Sequence, residues 1–150
     1  MSTLRELLED DAKRQELIRD ATQILDAEVA SKRGLSGVAV KGAFKVVRGL
    51  SPGFIPRAID GLLDDFIGQL DPFYTDYVAA GSPGTFGQYL SGRSAAVADA
   101  LLSTTDARAQ NSDHNLLRST YGKLRPRGQQ HVQDAMPRVA RMVDRHMGGD

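Results

Sequence analysis

The sequence predicts an all-α fold, a single-domain irregular bundle of about seven or eight short to medium helices. Three observations predict it. Apolar residues return at helical spacing in nearly every segment. Capping and turn residues separate those segments at short intervals. No two runs of alternating apolar and polar residues offer themselves as paired strands. The 150 residues fit one domain, and 41% hydrophobic with 25% charged residues is a globular composition. The expected domain is residues 1–147, with a flexible tail over 148–150.

Thr3 and Glu6 have the spacing of a capping box at the start of the first helix. A second helix follows Asp11 and carries Leu17, Ile18, Ala21, Ile24, Leu25 and Val29 on one stripe, with Gly34 as its expected stop. Ser51-Pro52-Gly53 is turn chemistry. The helix beginning between Phe54 and Pro56 has the strongest stripe, running from Ile55 and Ile59 through Leu62, Leu63, Phe66 and Ile67 to Leu70, and is expected at the centre of the core. Asp71-Pro72 then reads as a cap and first-turn proline of a separate helix bearing Phe73, Tyr74, Tyr77 and Val78. Gly81-Ser82-Pro83-Gly84 is a loop, and Thr85 with Gln88 repeats the capping-box spacing before a short helix ending near Gly92. Ser94 caps a helix with Val97, Ala98, Leu101, Leu102 and Thr105 on one side. Asn111 or Ser112 caps another, with Leu116, Leu117, Tyr121 and Leu124 inward. The last helix starts near Pro126 and runs towards Met147. Pro137 should kink or split it, because an interior proline costs about 3 kcal/mol.

Ser36 to Leu50 reads two ways. Val38, Val40, Phe44 and Val46 alternate with polar positions as a strand would. At helical spacing, Ala39, Val40, Ala43, Phe44, Val46, Val47 and Leu50 fill one broad arc, and Lys41, Lys45 and Arg48 fall opposite. Helix is the reading adopted, since a lone strand has no partner. Gly42 then costs about 1 kcal/mol relative to alanine. Close approach of a neighbouring helix or ligand along the border of the basic and apolar faces would account for it.

Formal net charge is zero, so any pull on an anionic partner must be local. Charge is segregated along the chain. Residues 1–28 hold eight acids and four bases, residues 29–58 six bases and no acid, and residues 59–77 five acids and no base. Pairing of these blocks across the surface is the plain reading. A basic face left open to an anionic partner is the sharper one, with Lys41, Lys45 and Arg48 as its contact residues.

Absent cysteines exclude disulfides, thiolate metal sites and cysteine nucleophiles, and fit a cytoplasmic protein. No signal-peptide h-region and no membrane-spanning run is present. Phosphate-loop, dinucleotide, nucleophile-elbow and zinc-protease motifs are missing, so no cofactor and no catalytic residue is expected. His114 reads as a capping residue, and His131 and His146 as half-buried structural histidines. His131 and Asp134 have a metal-ligand spacing but lack further ligands, and no metal site is expected. Asp60, Asp64 and Asp65 read as a solvated carboxylate face, and only their convergence in three dimensions would make an acid–base pair. Nucleic acid is a poor match, because aromatics are 6% and sit in the apolar stripes rather than among arginines.

The run DAEVASKRGLSGVAVKGAFKVVRGLSPGFIPRAIDGLL, followed by LDPFY, LLSTTDARA and YGKLR, resembles a small uncharacterised bacterial family, found mainly in high-GC Gram-positive bacteria and described only as a domain of unknown function. The resemblance spans most of the chain and implies a compact helical protein. It carries no activity, ligand or residue role. The functional expectation is therefore a non-enzymatic cytoplasmic interaction module whose basic helix face meets an anionic partner: an acidic protein, anionic lipid or a second copy of the chain. Two alternatives are a peripheral membrane or hydrophobic-ligand binding protein, for which an amphipathic basic helix is suited, and an enzyme with a carboxylate-based site.

Overall fold

The structure, a computed structural model, describes residues 4–147, the side chain of Ser36 excepted. Thr3, the cap of the expected Thr3–Glu6 box, and the 148–150 tail lie outside the described residues. A 3₁₀ turn over Leu4–Leu8 leads into α1 (Asp11–Ser31), α2 (Gly34–Arg48), α3 (Phe54–Ala79), α4 (Phe86–Ser91), α5 (Ser94–Gln110), α6 (Asn115–Leu124), a second 3₁₀ turn over Arg125–Arg127, and α7 (Gly128–His146). There is no strand among the described residues, so the all-α expectation holds. Residues 115–146 form one unbroken helical run, and counted that way the helices among the described residues number six rather than seven.

Several boundaries fall where side chains can satisfy the first free N–H groups. Asp10 Oδ1 accepts from the N–H of Ala12 at 2.9 Å and opens α1. Thr85 and Gln88 form the reciprocal capping box of α4 as expected. Other boundaries differ from the sequence reading. Asp71 is not a cap: α3 runs straight through Pro72 for 26 residues. The i−4 position facing that proline is Gly68, and Arg5 lies against it while pairing with Asp71 at 3.3 Å. Pro137 likewise does not split α7, and its ring is exposed. α5 is capped at Arg93 and α6 at His114, with Ser112 Oγ accepting from the His114 N–H at 3.1 Å. Gly34 does not end α1. Its φ of +69° starts α2 two residues after the α1 cap Lys32.

The main core is made by Leu4, Ile67, Leu70, Phe86, Leu90, Val97, Met136 and Val143, contributed by the N-terminal turn, α3, α4, α5 and α7. Leu17, Ile18 and Leu63 form a second cluster where α1 meets α3, with Met142 of α7 packed against it. α3 supplies four buried aliphatics, Ile55, Leu63, Ile67 and Leu70. It shares the centre with α7, against which α1, α4 and α5 all pack. Tyr74, Tyr77 and Tyr89 surround the buried Phe86 with ring centroids 5.1–6.5 Å away, and Arg93 lies 3.6 Å from the Tyr89 centroid.

α4 is only six residues long and is held by closeness rather than length. A Cβ on Gly87 would strike the Ala140 carbonyl of α7, and the Gly87 N–H donates to Asp144 Oδ1 at 2.8 Å. Gly87→Ala should therefore lower stability by about 1–3 kcal/mol. Gly42→Ala, in α2 with nothing within 4 Å of the added carbon, should raise it by up to about 1 kcal/mol. Urea unfolding of the two variants beside the parent checks both signs.

Candidate interaction face on α2

α2 packs against α1, α3 and α6, yet its side chains contribute to neither buried cluster. Among its described side chains only Gly37 and Val40 are buried. Gly37 sits where an added carbon would lie 2.7 Å from the Lys32 carbonyl, so the α1–α2 link folds directly onto the first turn of α2. Ala43, Phe44, Val47 and Leu50 are half-buried beside Val40. The inward arc is therefore narrower than the sequence suggests. Val46 is 40% exposed and Ala39 is exposed too.

What the helix turns outward is unusual. The large apolar residues exposed among those described are Leu35 at 91%, Val38 at 71% and Val46 on α2, and Leu116 at 49% on α6. Leu116 was expected inward. It lies instead at the open start of α6, where Thr120 is the buried position. Neither α2 nor α6 contains an acidic residue.

The three basic residues of α2 divide. Arg48 reaches Asp26 of α1 at 2.6 Å and lies 5.9 Å from the centroid of Phe44. Lys41 and Lys45 are exposed, with no ion pair or hydrogen bond to their amines among the described residues, and the same holds for the Arg33 side chain just before the helix.

Elsewhere several of the segregated charges pair between elements. Arg14 bonds Asp60 at 2.7 Å and Asp64 at 3.4 Å, Arg108 pairs with Asp65 at 3.7 Å, and Arg138 meets Glu28 at 3.0 Å. The Asp60–Asp64–Asp65 carboxylates are thus each met by an arginine. Asp64 and Asp65 also border an open groove of about 620 Å³ between α3 and α5, along with Arg5, Thr104 and Arg108. His146 Nε2 lies 2.6 Å from Asp20. Both Asp134 oxygens are engaged, by Lys32 at 3.0 Å and Gln130 at 2.7 Å. Tyr121, which sequence reading placed in the core, bridges Thr105 at 2.7 Å and Asp106 at 2.5 Å, and Arg125 joins Asp106 at 2.8 Å. The hydrogen bonds from Arg125 and Tyr121 hold the Asp106 carboxyl below its ordinary range, and burial followed by the bond to Asp106 pushes the Tyr121 phenol up. This network ties α5 to α6. No spacing rule links a tyrosine to an aspartate one helix earlier.

Residues 4–147 match a family of unknown function, DUF6918. The chain belongs to this family. The DUF6918 match covers every helix described above, and no curated protein and no solved structure matches the chain. No described helix is long and apolar enough to cross a membrane.

One buried polar atom stands out from the paired pattern. His131 Nδ1 has no hydrogen-bond partner among the described residues. Burial first, then the positive charges of Lys32 and Arg127 against the opposing pull of Asp134, hold the imidazole below its ordinary 6.5. The unfolded chain therefore takes up a proton that the folded chain resists as pH falls through 6.5, and stability declines on the acid side. Asp134 is also held low: burial would raise it, but the hydrogen bonds from Lys32 and Gln130 outweigh burial, and its contribution is lost only as pH falls below 3.8. Between about pH 7.5 and about pH 5.5, His131→Gln should flatten the fall in the urea midpoint, an effect limited to about 1.4 kcal/mol per pH unit.

Proposed function

We propose that this protein is a cytoplasmic, non-enzymatic binding module that meets an anionic partner through the outer face of α2. Lys41 and Lys45 make the polar contacts, and Arg48 steadies the helix from α1 through Asp26. The observation that carries the reading is the coincidence on one helix of two cations without partners among the described residues and three exposed aliphatic side chains. A solvated face has charge without apolar exposure, and a core face has the reverse. A face with both resembles the centre and rim of a recognition surface.

The competing enzyme reading rests on the α3–α5 groove. Its Asp64 and Asp65 are each paired with an arginine, at 3.4 and 3.7 Å, which favours a structural role for them over an acid–base one.

Amide-resolved NMR titration with a short polyglutamate peptide, and with phosphatidylserine vesicles in parallel, tests the proposal. Shifts centred on Lys41 and Lys45 are expected with at least one probe, fading between about 50 mM and about 500 mM salt as the Debye length shrinks. Lys41→Gln/Lys45→Gln should weaken binding roughly two- to thirtyfold, in keeping with about 0.2–1 kcal/mol for each exposed charge contact. Binding that ignores both lysines would remove the proposal.

A further inference from the structure

The outer face of α2 is more specific than a basic patch. Leu35, Val38, Ala39, Gly42, Val46 and Gly49 follow the i, i+3, i+4, i+7, i+11, i+14 pattern, so they line one side of the helix. Leu35 and Val38 form its bulky end and Val46 a second ridge. Between them Gly42 is exposed, with nothing within 4 Å of the position a Cβ would occupy. Lys41 and Lys45 run along one flank of this stripe. The fold itself does not require a glycine at 42: its φ is not positive, and an added Cβ would meet nothing within 4 Å.

Resting on the reading of α2 as an anion-meeting face, we infer that its occupant is an acidic amphipathic helix of a partner protein. That helix lies along the Leu35–Gly49 stripe and crosses closest at Gly42. Three kinds of occupant fit an apolar stripe with a basic flank, and the observations separate them. A lipid surface rewards bulk at the middle of an inserted face, and here the middle is glycine. A second copy of α2 would bring no carboxylate to answer Lys41 and Lys45, because the helix contains no acid. A foreign helix uses the missing Cβ, because a residue without a side chain lets a backbone ridge sit low in the groove. Its own aliphatic residues cover Leu35, Val38 and Val46, and its carboxylates answer Lys41 and Lys45.

The position of Gly42 makes this testable without disturbing the fold. Gly42→Leu fits the free protein and adds helix propensity, so the thermal midpoint should not fall. The probe is a synthetic 18-residue helical peptide with leucines on one face and glutamates on both flanks. A peptide of the same composition in scrambled order is the control, and phosphatidylserine vesicles are the third arm. Expected are shifts along Leu35, Val38, Gly42 and Val46 with the amphipathic peptide only, a Gly42→Leu loss of at least about tenfold, and a loss with Lys41→Gln/Lys45→Gln. No binding at up to about 1 mM peptide overturns the inference. So does equal binding of the scrambled peptide, or a Gly42→Leu variant that binds as well as the parent. Vesicle binding strengthened by Gly42→Leu assigns the face to lipid instead, and dimerisation through α2 in sedimentation assigns it to a second copy. Loss with the lysine variants but not with Gly42→Leu defeats only the helix partner. Binding indifferent to the lysines defeats the anionic-partner reading beneath it.

Discussion

α4 and α7 approach backbone to backbone, and the main core depends on that approach. Gly87 gives up a side chain so that the carbonyl of Ala140 can come close, and Asp144 uses the same gap to accept the Gly87 N–H. That N–H belongs to the first turn of α4 and has no partner within the helix. With α4 pinned there, Phe86 and Leu90 drop between α3 and α7 onto Ile67, Leu70, Met136 and Val143. A six-residue helix has too little propensity to stand alone, so its order is borrowed from α7.

α1 acts differently, as a polar strap. Along its length Arg14 reaches α3, Asp20 reaches His146 and Arg145, Asp26 reaches Arg48, and Glu28 reaches Arg138. Each pair at the rim contributes little. Several along one helix fix its rotation relative to α3, α2 and α7. The strap also decides which cations remain free. The acids of α1 meet Lys32 and Arg48, and Arg33, Lys41 and Lys45 between them have no ion pair among the described residues.

The sequence was most legible where one local rule acted alone. The Ile55–Leu70 stripe, the Thr85–Gln88 box and the helical state of residues 36–48 are readable from spacing, because period and cap chemistry are local. It misled where tertiary packing overrode a local signal. Asp71-Pro72 and Pro137 look like breaks, yet α3 and α7 run on, since each exposed proline costs less than abandoning a packed stripe. Leu116 has an inward period and an outward position, because a period cannot tell which turns of a helix have a neighbour. Of the candidate face, the basic flank was legible and the apolar stripe was not. A wheel shows Leu35, Val38 and Val46 as apolar but cannot show which side of α2 lacks a neighbour. The Tyr121–Asp106–Arg125 network was invisible for a related reason: it joins residues that only the α5–α6 turn brings together.

The two costs carried by α2 fall on the same side of it. Exposing Leu35 and Val38 forfeits burial that other aliphatic residues gain, and Gly42 gives up helix propensity without relieving any internal clash. A sequence shaped only to fold would place polar side chains at 35 and 38 and alanine at 42. Local rules broken at scattered positions are ordinary variation. Broken together on one face, beside cations without an ion pair among the described residues, they are the observation on which the proposed binding role of α2 rests.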